Sequence, residues 1–356
     1  GVTGVQTCAL PILSGWSLRH AGLPARVAEE HSETAYMTDR ALQFIRETGE
    51  RPWVLHLSYI KPHWPLMAPA PYHDMYGADD VAPAVRSKAE QDHGHPVMRA
   101  FMEMECSRTY SDDAKRAVAV PTYMGLIRQL DDHIGRLLQA LEESGRLDDT
   151  AIIFTSDHGD YLGDHWLGEK ELFHEASARV PLIVSDPDPA ADATRGSVDT
   201  RFAEAIDIVP TILEWMGIGD PGQRMEGRSL VPGLRGQGGG ARWRECAFSE
   251  IDYAFYRSRL TLGVAPDAAR AWMVRSDRWK YVHYKGFAPQ LFDLRDDPDE
   301  LVDLGGAPGL APVRAEMQAM LLERLTDRRS RVTLSDRVVA DRTDGSAKAG
   351  VIIGQW

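Results

Sequence analysis

The chain has 356 residues, 43% of them apolar and 26% charged, with a formal net charge of -13. That length supports a large core and two domains, while the negative balance argues against nucleic acid and anionic membrane surfaces as partners. Cys8, Cys106 and Cys246 are too scattered for a disulfide framework or a zinc site, and no apolar run reaches the roughly 20 residues of a membrane-spanning helix.

The opening run, GVTGVQTCALPIL (1–13), has no initiator Met, basic start or continuous apolar stretch, so it does not read as a signal peptide. It resembles the translation of a sequencing adapter and is set apart as non-biological, with the natural N-terminus expected to be missing. Residues 34–48 read as a helix with Ala41, Leu42, Ile45 and Thr48 on one face and Gly49 as its stop. WVLHLSYI (53–60) is an apolar run suited to a buried strand. It leads into KPHWPLMAPAPYHDMY, where Pro62, Pro65, Pro69 and Pro71 forbid regular structure and fix a rigid loop.

Residues 78–117 are polar and aperiodic, which suggests a surface insertion. A long helix is expected from near Pro121, with Met124, Ile127, Leu130, Ile134, Leu137, Leu138 and Leu141 stepping by three and four and Gly145 ending it. Strands are expected at 150–155 and 180–185, then a loop over 186–200. A helix capped by Asp207 follows, with Pro210 in its first turn.

Apolar strands alternating with helices predict an α/β fold, a doubly wound and mostly parallel sheet over 14–232. Residues 233–244 read as a linker. Beyond it ECAFSEI, AWMVRSD, RWKYVHYK and PQLFDL predict an antiparallel sheet within a smaller α+β domain, 245–330, completed by a helix with Val313, Met317, Leu321 and Leu325 on one face. Residues 331–356 would form a C-terminal arm.

The densest chemistry is TSDHGDYLGDHWLGEK, residues 155–170. In open α/β sheets ligands bind beyond the carboxyl ends of strands, where both KPH (61–63) and DHG (157–159) are expected. Asp157 offers a hard oxygen and His158 an imidazole nitrogen, two candidate ligands of a divalent cation. Gly159 would allow a close backbone approach. Lys170 could contact an oxyanion, and His63 could act as donor or general acid. Each residue alone has a plainer reading: a capped turn for the DHG run, a structural histidine in a Pro-rich loop, a solvated lysine.

Together these segments, with VPLIV, DIVPTIL and PQLFDLRDDPDELVDL, resemble the sulfatase branch of the alkaline phosphatase superfamily, closest to the phosphonate monoester hydrolases. The likeness runs from about residue 16 to the C-terminus. It implies a metal-dependent hydrolase of phosphonate or phosphate esters, one divalent metal (manganese or calcium) held in part by Asp157 and His158, and active-site roles for His63 and Lys170. An imidazole at 158 favours manganese over calcium. The implied nucleophile is a formylglycine made from a Cys-x-Pro-x-Arg run. No such run occurs here, nor does the family's first metal aspartate. The expectation is therefore a fragment, inactive as it stands, whose missing portion carries both.

Two other readings remain open: a sulfate ester hydrolase of the arylsulfatase or choline-sulfatase kind, and a non-catalytic binding scaffold that kept the fold. The expected ligand is a small phosphonate, phosphate or sulfate ester, without nucleic acid or membrane. The C-terminal arm could join copies of the chain, as arms do in the resembled hydrolases. The scarcity of cysteines leans towards cytoplasm. His165 reads as structural, His93 and His95 as part of the polar insertion, and Asp131, Asp132 and His133 as a solvated helix face. Tyr72, His73 and Tyr76 are candidates for the substrate mouth.

Overall fold

The computed structural model describes residues 18, 20–218, 225–237, 243–328 and 336–343. The adapter-like run 1–13, the middle of the linker and most of the C-terminal arm lie outside the described residues; within the arm, Asp336–Arg342 is helical.

Helix α1 spans Glu33–Thr48. The Ser32 hydroxyl caps it by accepting from Ala35 N at 3.2 Å. Gly49 ends it with a φ of 56°, where a side chain would be strained. Ala41, Ile45 and Thr48 are buried, as the spacing predicts.

The run 53–60 corrects the expected buried strand. It has no ladder partner among the described residues, and its side chains alternate between half-buried and exposed, with Val54 and Ile60 more than half exposed. Apolar composition supplies a strand's side chains but not the neighbour whose backbone must pair with it. The Pro-rich loop behaves as expected. Lys61 Nζ donates to the carbonyls of His63 (3.1 Å) and Pro65 (2.8 Å), pinning the turn from within.

Residues 78–117 are not a surface insertion. They carry three short helices, α2 (Lys88–His93), α3 (Pro96–Met102) and α4 (Glu105–Tyr110), which bury Val97, Met98, Phe101, Cys106 and Tyr110. Six or seven residues complete fewer than two helical turns, too few for a period to show. Helix α5 then runs Asp113–Glu143, starting earlier than Pro121, which lies inside it. The Asp112 carboxylate caps α5 by accepting from Ala114 N at 3.0 Å.

The most buried line of α5 is Ala119, Thr122, Leu126, Gln129 and His133, while Ile127 and Leu138 of the apolar stripe are exposed. Polar side chains enter this face because partners meet them. Gln129 Nε2 and His133 Nε2 both donate to Glu29 Oε1, at 3.1 and 2.6 Å. His133 is thus buried, contrary to the solvated face expected of it. Tyr72 packs with Leu66, Tyr110 and Leu126 in the apolar cluster of this region, and its hydroxyl donates to Asp132 at 2.9 Å.

Strands β1 (Ile152–Thr155) and β2 (Leu182–Ser185) pair antiparallel, Ile152 opposite Ser185; the short helix α6 (Glu175–Ala178) lies between them in sequence. The α/β class is as expected, but no parallel pair occurs among the described residues, and Phe154 and Ile183 are exposed rather than covered. Helix α7 spans Ile208–Trp215. The carboxylate of Asp207 does not cap it but accepts from Glu204 N (2.8 Å) and Arg228 N (2.8 Å). A helical turn, α8 (Val231–Leu234), runs into the first residues of the expected linker.

Strands β3 (Ala247–Asp252), β4 (Arg270–Arg275), β5 (Trp279–Tyr284) and β6 (Gln290–Asp293) form the expected antiparallel sheet in the order β3-β4-β5-β6. Between β3 and β4 lies the short helix α9 (Arg257–Leu262). Helix α10 (Ala311–Thr326) buries Met317 and Leu321 with Val274, Tyr281 and Leu291 of the sheet.

Two compact units emerge, and they interleave along the chain. One holds residues up to 150, 158–180 and 253–269; the other holds 151–157, 181–252 and 270 onward. On sequence the chain divides once, at 233–244.

No helix among the described residues is long and apolar enough to cross a membrane.

Candidate active site

Within the first unit, the Pro-rich loop and the 158–180 segment bring His63 and Lys170 together. The stretch just before α2 holds that segment. Asp164 Oδ1 accepts from Val85 N (2.8 Å), His165 N donates to Val85 O (2.8 Å) and Trp166 Nε1 donates to Ser87 O (2.7 Å). Arg116 Nε donates to Leu162 O at 2.7 Å. Gly159 and Gly168 are required by close approach. A Cβ on Gly159 would collide with the carbonyl of Ala176, and one on Gly168 with the ring of Tyr110 and the carbonyl of Cys106.

Lys170 Nζ lies 3.0 Å from His63 Nε2. His63 Nδ1 is 2.8 Å from Trp64 O. A carbonyl only accepts, so Nδ1 carries the proton and Nε2 offers its lone pair to the ammonium. Glu169 Oε2 forms an ion pair with the same ammonium at 3.0 Å. Glu169 is buried, and among the described residues its Oε1 has no hydrogen-bond partner. Its φ is 68°, a left-handed conformation that costs a non-glycine residue about 1–2 kcal/mol.

These groups line a cavity of about 590 Å³ whose walls include Trp64, Cys106, Glu171, Tyr256 and Arg257. Burial pushes the Glu171 carboxyl up, and neighbouring Glu169 pushes it further. Asp160 is driven to about 7, first by burial and then by Glu169 and Glu171. The Cys106 thiol rises to about 12 through burial and the nearby Glu171, so it stays protonated and unreactive.

Asp157 lies two residues past the end of β1, exposed, within 3.4 Å of the Ser156 hydroxyl. His158 Nδ1 is 2.8 Å from Gly159 O. That bond places the neutral ring's lone pair on Nε2, the arrangement of a metal-binding imidazole oriented by a backbone carbonyl. A carboxylate and such an imidazole fit a divalent cation as donors. Among the described residues, no group of three or more His, Cys, Asp or Glu is arranged to hold one.

Two other histidines singled out by the sequence have local structural partners. His165 Nδ1 is 2.7 Å from Glu90 Oε1, and its ring stacks on His174 at 3.9 Å, in line with the reading from sequence. His95 caps α3, its Nδ1 accepting from Val97 N. Residues 253–269 and their contributions to the cavity, Tyr256 and Arg257, carried no signal in the sequence. Glu169 did stand in the quoted run, beside the lysine it pairs with.

The Sulfatase family model matches residues 14–218, and the model for N-sulphoglucosamine sulphohydrolase, C-terminal, matches 163–328. The chain is 36% identical over 319 residues to the multifunctional alkaline phosphatase superfamily protein PehA of Trinickia caryophylli, covering 85% of this chain and 61% of that one. It is 33% identical over 292 residues to a choline-sulfatase of Rhizobium meliloti, covering 79% of this chain and 52% of that protein. The chain thus spans between half and two thirds of the length of these relatives. The solved phosphonate monoester hydrolase of Silicibacter pomeroyi superposes with a TM-score of 0.79 at 30% identity, over 88% of this chain and 64% of that one. With more than half of its residues matched by one family model, this chain belongs to the sulfatase family of the alkaline phosphatase superfamily.

Proposed function

We propose that this chain carries the leaving-group side of a hydrolase that cleaves phosphonate and phosphate esters. The observation that carries the reading is the 3.0 Å contact between Lys170 Nζ and His63 Nε2 on one cavity wall. An ammonium and an imidazole that share a proton suit an ester whose oxygens gain charge as the bond to the leaving group breaks. Lys170 donates to a non-bridging oxygen. His63, held by Trp64 O, takes a proton at Nε2 from the Lys170 ammonium and passes it to the departing oxygen.

Asp157 and His158 are proposed as two ligands of a divalent cation, manganese suiting the imidazole better than calcium. When bound, that cation would supply Lewis-acid polarisation of an ester oxygen. The nucleophile is proposed to be a formylglycine; the 356 residues contain no Cys-x-Pro-x-Arg run from which to form it. Sulfate esters are the second reading, favoured by the likeness to a choline-sulfatase.

The test is to read the genomic sequence upstream of the codon for Trp16 and express the longer frame. Aryl phosphonate monoesters, phosphodiesters and sulfate esters would then be assayed side by side. A Cys-x-Pro-x-Arg run and turnover that is fastest on phosphonates would support the reading. A native start codon at that point, with no turnover, would instead indicate a binding scaffold.

A further inference from the structure

A carboxylate in a cavity meant for an anion needs an explanation. Glu169 is strained, buried and bonded through one oxygen to the lysine that would bind the ligand. Its other oxygen meets no donor among the described residues. A cheaper arrangement would leave Lys170 unopposed or place a neutral residue at 169.

We propose that Glu169 determines specificity by sorting ligands according to charge, making the cavity one for singly charged tetrahedral esters. This rests on the reading of the cavity as an ester site. The physical basis is Coulombic. An ammonium alone attracts a dianion about twice as strongly as a monoanion. With a buried carboxylate 3.0 Å from that ammonium, the pair is close to neutral, and a second ligand charge meets attraction and repulsion of similar size. A single charge with one well-aimed hydrogen bond from Lys170 retains most of its binding. Glu169 acts strongly because it is only 8% exposed, so water screens it little. Arg108 and Arg257, exposed on the cavity wall, contribute weaker, screened fields, and exposed Glu105 opposes them. The Glu171 carboxyl beside it is raised first by burial and then by Glu169, so added negative charge is disfavoured here.

The experiment uses this chain and two probes on one scaffold, the monomethyl ester of phenylphosphonate (one charge) and phenylphosphonate at about pH 8.5 (two charges), titrated by calorimetry. The wild type should bind the monoester at least as tightly as the dianion. Glu169→Gln should move the ratio of dissociation constants about tenfold towards the dianion. An unchanged ratio, with both probes still bound, overturns the proposal. If Glu169→Gln does not fold, the wild-type ratio decides, because a tenfold preference for the dianion overturns the proposal without any variant. Failure of the underlying reading looks different: neither probe binds the wild type, or Lys170→Ala leaves both affinities unchanged.

Discussion

Lys170 Nζ and His63 Nε2 stand 3.0 Å apart although 107 residues separate them in the chain. The contact depends on a loop pinned by its own lysine, Lys61, and on a second loop fastened to the stretch just before α2. Phenylphosphonate binding should therefore weaken about 10- to 100-fold in Lys170→Ala and less in His63→Ala, because only the first removes a full charge. Calorimetric titration of each variant checks the order; equal affinities in all three proteins would refute it.

Manganese should raise the melting temperature of the chain by about 2–4 °C at saturation, since a cation that binds only the folded state stabilises it. Asp157→Asn and His158→Ala should each abolish the rise. Differential scanning fluorimetry with and without the metal gives the answer, and a rise that persists in both variants would place the cation elsewhere.

Gly159→Ala should cost on the order of 3 kcal/mol, because the new methyl has to displace the backbone at Ala176 rather than a movable side chain. Urea unfolding measures this. The Gly49→Ala change, with open space around its Cβ position but a φ of 56°, should cost only about 1 kcal/mol.

His133→Ala should destabilise the first unit by about 2 kcal/mol at neutral pH, since Glu29 loses its strongest donor. Burial works to raise the Glu29 carboxyl, but hydrogen bonds from His133 and Gln129 outweigh it and hold the group below 4.5. A depressed carboxyl stabilises the fold above its unfolded pKa and loses that contribution as pH falls through the lower folded value. The gap between wild type and His133→Ala should therefore shrink under acid, which paired urea melts across pH would reveal.

Glu171 has the opposite sign. Its folded pKa is raised, so the native state holds the proton more tightly than the unfolded chain does. Stability should fall as pH rises from the ordinary value of 4.5 through the raised one. Glu171→Gln should remove that slope, melting higher than wild type at neutral pH and matching it below pH 4.5. A variant that melts lower at neutral pH would show that the bonds from Lys170 N and Tyr256 matter more than the charge.

Helix α1 and strands β3 to β6 could be read from sequence because caps, turns and period all sit within a few residues of one another. The run 53–60 could not, since pairing is decided by a neighbour its own residues do not specify. Helix α5 misled in a third way. Its apolar stripe is half exposed, while Gln129 and His133 turn inward to reach Glu29, a partner 104 residues from His133. In the cavity, His63 and Lys170 could be read because each sits in a loop of distinctive composition. Glu169 lay in plain view, yet an acidic residue beside a lysine on sequence suggests a solvated pair, and only its burial and strained backbone mark it as more. Tyr256 and Arg257 were beyond reach, because no pattern ties residues 253–269 to a loop two hundred residues earlier.

That last segment bears on how the protein can be made and cut. Because 253–269 is counted with the first unit, the chain passes between units five times, at 150/151, 157/158, 180/181, 252/253 and 269/270. A ribosome must have released residue 269 before the first unit is complete, so vectorial folding cannot finish one half and then begin the other. The pieces 1–240 and 241–356, made separately, should likewise associate when mixed, each holding part of what the other needs.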